Sequence, residues 1–210
     1  MSIIQGGKGR LIAFEGIDGT GKSTQIGMLA DTLRNRGYEV VITREPTNGI
    51  YGRRIRELYV SRHTVSLEEE LELFLADRRE HVEKLIAPAL AGGKIVLTDR
   101  YYLSTVAYQG GAGLAPELIM RKNEEFAPEP DLAILIDLPP RQAVARIQHG
   151  RGESLNDFEQ EANLAEVARL FHAIDRQYIR WVDGEQGIYD VQQRIMGEVE
   201  KILPKKDQYH

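Results

Sequence analysis

The chain has 210 residues, 42% apolar and 28% charged, which is enough for one buried core and excludes a largely disordered protein. A formal charge of −5 gives no general attraction to nucleic acid, and no nucleic-acid partner is expected. The absence of cysteine excludes disulfides, thiolate metal sites and a cysteine nucleophile.

The first ten residues are glycine-rich and basic but lack the apolar stretch of a signal peptide. The longest apolar runs, such as Leu132 to Leu138, are too short to cross a bilayer. The expectation is a soluble, cytoplasmic protein without a membrane partner.

Leu11 to Glu15 is a short apolar run that stops at glycine, the pattern of a buried strand. Ser23 to Arg36 then spaces Ile26, Leu29, Ala30 and Leu33 as a helix does, with Gly37 as its stop. Glu39 to Thr43 is β-branched and predicts a second strand. Ile95 to Thr98 and Leu132 to Ile136 repeat the signature, and Gly187 to Val191 is a weaker fifth run. Helical stretches lie between them, over Ser66 to Ala91, Pro116 to Phe126, Pro140 to His149 and Phe158 to Asp183.

Strands that are apolar throughout belong to a parallel sheet covered by helices on both faces. Their alternation with helices predicts an α/β fold, a doubly wound parallel five-stranded sheet, in one domain over residues 1–210. No internal repeat or interdomain linker interrupts it. Gly150 to Asn156, polar and glycine-containing between two helices, is the candidate for a mobile lid, with an ordinary surface loop as the alternative.

Gly16-Ile17-Asp18-Gly19-Thr20-Gly21-Lys22-Ser23 is a complete phosphate-binding loop between a strand and a helix. Its glycines let backbone N–H groups point at phosphate oxygens, and the partly positive helix start adds attraction. Lys22 suits the β- and γ-phosphates, and the Ser23 hydroxyl suits Mg²⁺. A switch GTPase would carry an Asn-Lys-x-Asp segment, and the chain has none.

Arg44 and Arg100 each follow a predicted strand, where ligands of open α/β sheets bind, and both can project towards the loop. The planar guanidinium holds phosphate by two charge-assisted hydrogen bonds, although a lone arginine is more often a surface ion pair. Two of them point to transfer between two phosphates, which needs positioning and positive charge rather than a side-chain nucleophile. Asp99 can orient a Mg²⁺-bound water or anchor Arg100. The five histidines show no metal-ligand spacing.

Taken in order, these residues resemble the thymidylate kinase family from about Leu11 to about Leu203. The carriers are Phe14 to Thr24, Thr43-Arg44-Glu45-Pro46, Leu73 to Val82, Asp99 to Gly110, Pro130-Asp131-Leu132 and Phe158-Glu159. The resemblance implies a phosphate-loop NTPase fold and transfer of the ATP γ-phosphate to dTMP with Mg²⁺, in a homodimer. ATP would be held by Gly16, Ile17, Asp18, Gly19, Thr20, Gly21, Lys22, Ser23 and Thr24, and the metal by Ser23 and Asp99. Asp18 would approach the acceptor 3′-hydroxyl, and Arg44 and Arg100 its phosphate. Phe74 would stack on thymine and Arg78 would bond a base carbonyl; one helical turn apart, they share a face. Ser104, Thr105 and Gln109 would line the base pocket, and Tyr108 would crowd the sugar 2′ position.

The family supplies an extra transition-state cation from either the phosphate loop or the lid. Gly19 occupies the loop position where some members carry arginine, so this chain resembles the lid type. The lid then spans about residues 146–159, and Arg146 and Arg151 join Lys22, Arg100 and Asp18 as implied catalytic residues. Two departures stand out: Thr47 to Gly52 replaces the usual paired glycines, and Asp157 sits where an arginine is frequent. The alternatives are a kinase for another nucleoside monophosphate or a deoxynucleoside, and an ATP-binding regulatory relative with little turnover.

Overall fold

The computed structural model describes residues 9–61, 65–151 and 160–203. Five parallel strands run in the order β2-β3-β1-β4-β5, namely β1 (Arg10–Glu15), β2 (Val40–Arg44), β3 (Ile95–Asp99), β4 (Leu132–Asp137) and β5 (Ile179–Asp183). The helices are α1 (Lys22–Asn35), α2 (Ile50–Ser61), α3 (Leu67–His81), α4 (Ala87–Ala91), α5 (Tyr102–Gly111), α6 (Pro116–Glu124), α7 (Pro140–Arg151), α8 (Glu161–Ala173) and α9 (Ile188–Glu200). The chain fills one side of β1 with β2 and β3, then crosses to β4 and β5 on the other. The carboxyl end of β1 is therefore the point at which ligands enter such sheets.

The period-2 alternation of β1 builds two core layers. Leu11 and Ala13 face α5 and α8, where Val106, Leu170 and Phe171 are buried. Ile12 and Phe14 face α1 and α9, where Leu29, Leu33, Val191 and Ile195 close the opposite layer. Each fully buried side chain of this size contributes roughly 1.5–3 kcal/mol, so both faces of the central strand are anchored before any polar group is considered.

Helix α3 begins with a capping box, in which the Ser66 hydroxyl accepts from Glu69 N at 3.1 Å and Ser66 N donates to Glu69 Oε2 at 2.8 Å. Its far end carries an unusual buried polar set, Asp77, Arg78 and His81. The stretch read as one helix, Ser66 to Ala91, is helical but widens into a π-turn over Val82–Ile86 before α4. Pro88 lacks the N–H that an α-helix would direct at the Lys84 carbonyl, and the wider turn absorbs that mismatch.

The fifth strand and the last helices depart from expectation. The segment Phe158 to Asp183 is not one helix: α8 ends at Ala173, where Ile174 turns extended, and β5 follows at Ile179–Asp183. Gly187 to Val191 is not a strand: Gly187 is the N-cap of α9. Val191, Ile195 and Val199 bury every fourth residue, a helical period that the five-residue window could not reveal, while Tyr189 is 74% exposed. Helices α2 and α5 carried no clear sequence signal. The β-branched residues and paired glycines of α5 are poor helix formers, and its stability comes from a nearly all-buried surface.

Candidate active site

The phosphate loop leaves β1 at Gly16 and enters α1 at Lys22. Gly16 has φ 127°, and a Cβ there would lie 2.6 Å from the Ile136 carbonyl oxygen of β4. Gly19 has φ 82°, and its Cβ would lie 2.5 Å from the Ala143 carbonyl oxygen of α7. Both positions need glycine for backbone conformation and for close approach. Gly19→Ala is expected to destabilise the fold by roughly 1–3 kcal/mol, the range for forced overpacking, and to weaken ATP binding. Urea unfolding and ATP titration check this; an unchanged midpoint would mean that α7 yields freely.

No side chain among the described residues caps α1, so its first N–H groups remain directed at the loop. Lys22 folds back over the loop, its Nζ donating to Gly16 O at 3.1 Å and Ile17 O at 2.8 Å. Burial, and then the nearby Arg100, lower its ammonium to about 8, a poise that an entering polyphosphate would reverse. At the first turn of α1 the Ser23 hydroxyl donates to Asp99 Oδ2 at 2.5 Å, joining the loop to the tip of β3. That pairing brings together the two expected metal residues. No cluster of three His, Asp or Glu stands among the described residues, so an ion here would need substrate phosphates to complete its shell.

Arg100 follows β3 with φ 71°, a left-handed backbone that glycine normally takes. Its N–H donates to Phe14 O at 2.9 Å and its carbonyl accepts from Thr98 Oγ1 at 2.8 Å. The guanidinium donates to Asp18 at 2.8 Å, Ser104 Oγ at 3.0 Å and Tyr108 Oη at 3.1 Å, and lies 4.7 Å from the Tyr108 ring centroid. Tyr108 Oη also donates to Asp18 Oδ2 at 3.1 Å. Burial would raise the Asp18 carboxyl, but Arg100 and then Lys22 outweigh it and hold the group near about 2. Burial pushes the Tyr108 phenol well above its usual value, keeping it a neutral donor.

Asp18, Lys22, Ser23, Asp99 and Arg100 line a cleft of about 630 Å³ together with Arg44, Arg56 and Arg146. Five cations, counting Lys22 and Arg100, thus face one space, more than a single phosphate requires. Arg56 had no signal in the sequence, as α2 itself had none. It reaches the cleft from α2 by donating to Pro46 O at 3.1 Å and Thr47 O at 2.7 Å. The atypical loop after Pro46 is held from below: Thr47 N and its hydroxyl donate to the Asp77 carboxylate at 2.8 and 2.6 Å. Arg44 ends β2, exposed, with Nη2 3.4 Å from Asn48 Oδ1.

Beyond Arg100 lies a second polar group set. Arg78 is no solvated helix residue, being 1% exposed. It donates through Nε and Nη2 to Glu45, through Nη1 to Asn123, and through Nη2 to Thr105 Oγ1 at 3.0 Å. Glu45 precedes the cis-Pro46 peptide and also bonds His81 Nδ1 at 2.9 Å, while His81 Nε2 meets Thr43 Oγ1 at 2.7 Å. Burial raises the Glu45 carboxyl, and Arg78 and His81 more than cancel that, leaving it below its usual range. Gln109 is 1% exposed, and neither amide atom has a hydrogen-bond partner among the described residues. A buried amide left open in this way is ready for a polar ligand. Phe74 is half-buried one turn before Arg78.

Ser104, expected at the base pocket, instead has its hydroxyl engaged on the phosphate side, donating to Glu15 at 2.5 Å and accepting from Arg100. Arg146 lines the cleft and donates to Gly184 O at 2.9 Å. Arg151 ends α7, and its side chain lies outside the described residues, as do residues 152–159 with Asp157, Phe158 and Glu159.

A family model for thymidylate kinase matches residues 14–195. A thymidylate kinase of Desulfotalea psychrophila is 53% identical over 195 residues, covering 93% of this chain and 96% of that protein. One of Akkermansia muciniphila is 50% identical and covers 90% of each chain, and one of Xanthomonas campestris is 49% identical, covering 79% and 72%. With a parallel sheet of this order, a glycine-rich loop at its switch point and a cleft lined by five cations, the chain belongs to the thymidylate kinase family.

Proposed function

We propose that this chain transfers the γ-phosphate of ATP to dTMP, giving dTDP and ADP. The observation that carries the reading is the shared cleft, lined by the phosphate loop and by Arg44, Arg56 and Arg100, with Arg100 tied to Asp18 of the loop at 2.8 Å. ATP lies along residues 16–24, with Lys22 against its outer phosphates. The acceptor phosphate lies between Arg44 and Arg100, with Arg56 beside them.

An oxygen of the dTMP phosphate attacks the γ-phosphorus while the bond from γ-phosphorus to the β-bridging oxygen breaks, and ADP leaves. The reacting oxygen is already anionic, so the protein's work is alignment and charge compensation. Lys22 and Arg146, with Arg151 at the lid, compensate charge on the transferring group; Asp18 keeps Arg100 aimed at the acceptor. Ser23 and Asp99, already paired, would hold Mg²⁺, which supplies further neutralisation of the phosphate oxygens.

The base binds beyond Arg100, against Phe74 and within reach of Thr105. Among the described residues, one N–H of Arg78 stays uncommitted after its bonds to Glu45, Asn123 and Thr105, and the open Gln109 amide can complete the reading. A donor fixed opposite the 4-position favours the thymine carbonyl over the cytosine amine. Tyr108 closes against a ribose 2′-hydroxyl. No described helix is long and apolar enough to cross a membrane. A cytoplasmic homodimer is the assembly proposed on the family's pattern, and sedimentation velocity tests it.

An ADP-release assay with Mg-ATP and a panel of acceptors tests the function. dTMP is expected to be phosphorylated faster than dUMP, CMP, GMP or AMP. A preference for another base would remove the thymidylate assignment, and no acceptor-dependent release at all would leave an ATP-binding protein without this activity.

A further inference from the structure

Glu15, the last residue of β1, is a carboxylate with 0% exposure that the reaction just described does not use. Removing a carboxylate from water strongly penalises its charged form unless donors replace the solvent. Here two donors do so: Tyr101 N at 3.0 Å from Oε1, and the Ser104 hydroxyl at 2.5 Å from Oε2. Both are bound to Arg100 in different ways. Tyr101 N belongs to the peptide that follows Arg100, and Ser104 Oγ accepts from Arg100 Nη1 at 3.0 Å.

Arg100 needs such support. Among the described residues it is the one non-glycine with positive φ. A residue persists there where its surroundings over-determine the conformation. The bonds to Phe14 O and from Thr98 Oγ1 hold the peptide on either side of its Cα, and Glu15 holds the next N–H along.

The geometry points to Glu15 as a positioning residue for Arg100: through Tyr101 N it locks the left-handed backbone, and through Ser104 it sets the direction of the guanidinium. This rests on the reading that Arg100 binds the acceptor phosphate. Glu15 touches neither substrate in that reading and acts through Arg100 alone.

Burial pushes the Glu15 carboxyl up to about 7, against the opposing pull of the Ser104 hydrogen bond, Arg100 and Arg78. Lys22 of α1 is a further cation coupled to it. Protonation converts one acceptor oxygen into a donor, so Ser104 can no longer give its proton to Glu15 while accepting from Arg100. The raised value also means that the folded state binds the proton more tightly than the unfolded chain. Stability linked to Glu15 is then present below about 4.5 and is lost as pH rises towards 7. As a prop alone, a neutral amide would serve better at pH 8.

The test is Glu15→Gln, assayed for steady-state kinetics across pH 5.5 to 9 (about neutrality on both sides, bracketing the carboxyl) and for thermal unfolding at about pH 8. The expected result is a kcat/KM for dTMP lowered roughly 10- to 100-fold, the scale for a misplaced binding group. The KM for ATP stays within about twofold, and the melting temperature is no lower than the parent's. The parent's acid limb near neutrality flattens in the variant; any limb from the substrate's own phosphate is common to both proteins. Ser104→Ala, which keeps the carboxylate and removes the link, should move dTMP kinetics in the same direction, and it carries the test if Glu15→Gln does not fold. Parent-like dTMP kinetics and acid limb overturn the proposal, as does a lower melting temperature with both KM values moving together. Arg100→Ala separates the premises: an unchanged dTMP KM overturns the phosphate reading and the proposal with it. An Arg100-dependent KM that is indifferent to Glu15→Gln overturns the proposal alone.

Discussion

Arg100→Ala will raise the KM for dTMP roughly 100-fold, a loss of about 2.7 kcal/mol within the range for truncating one member of a buried charge pair. ATP affinity should stay within about twofold. Arg100 Nη2 is 2.8 Å from Asp18, and losing it leaves that carboxylate with only Lys22 and the Tyr108 hydroxyl to offset its charge in the proposed phosphate site. The variant therefore loses an attraction and gains a repulsion. Asp18, no longer held near about 2 by Arg100, should titrate upward and make residual activity more favourable at lower pH. Arg100→Lys restores charge but not the fork that reaches Asp18, Ser104 and Tyr108 together, so it should recover only part of the loss. Equal losses for ATP and dTMP in initial-rate kinetics would show that Arg100 supports the loop rather than the acceptor.

The second large effect concerns stability. Arg78→Ala should destabilise the protein by about 3–5 kcal/mol, the cost of leaving a buried partner charge unpaired. Glu45 is 6% exposed and would keep only its contact with His81, while Asn123 and Thr105 would each lose a donor. The pH dependence has a definite sign. In the parent, Glu45 titrates below its usual value, so its stabilisation holds above about 4.5 and fades as pH falls through the folded value. In the variant, burial dominates and raises Glu45, so protonation relieves the penalty. The difference between the two proteins should be largest near pH 8 and shrink towards about pH 5 in urea unfolding. A constant difference would mean that the loss comes from packing alone.

Local chemistry made the phosphate loop legible. Glycines at 16, 19 and 21 followed by Lys22 and Ser23 encode a backbone conformation and a ligand within eight residues. β1, β3 and β4 were equally legible, because burial on both faces forces continuous apolar runs; the edge strand β2 is only part-buried, with Ile42 44% exposed, and was legible from its β-branched residues. The edge strand β5 escaped because it buries only Ile179 and Val182, and its charged neighbours blend with the preceding helix. The rest of the candidate site depended on residues brought from afar. Arg78 meets Glu45 across 33 positions and Asn123 across 45, and Glu15 meets Ser104 across 89, distances over which no spacing rule operates. Arg56 reads as one basic residue among several on α2 until the fold turns it towards Pro46 and Thr47.

The close approach of Gly19 to the Ala143 carbonyl bears on how this chain could have changed over time. Family members differ in whether the loop or the lid supplies the extra cation. Here a loop arginine would have to enter at φ 82° and against the backbone of α7, with Ile147 Cγ1 3.1 Å from its first carbon. A side chain at position 19 therefore enters only where α7 withdraws from the loop. An ancestor moving from one arrangement to the other would first have to shift α7 away from the loop, carrying Arg146 with it. The packing of α7 on the loop and the placing of Arg146 in the cleft are thus one feature, and a change at position 19 is felt at both.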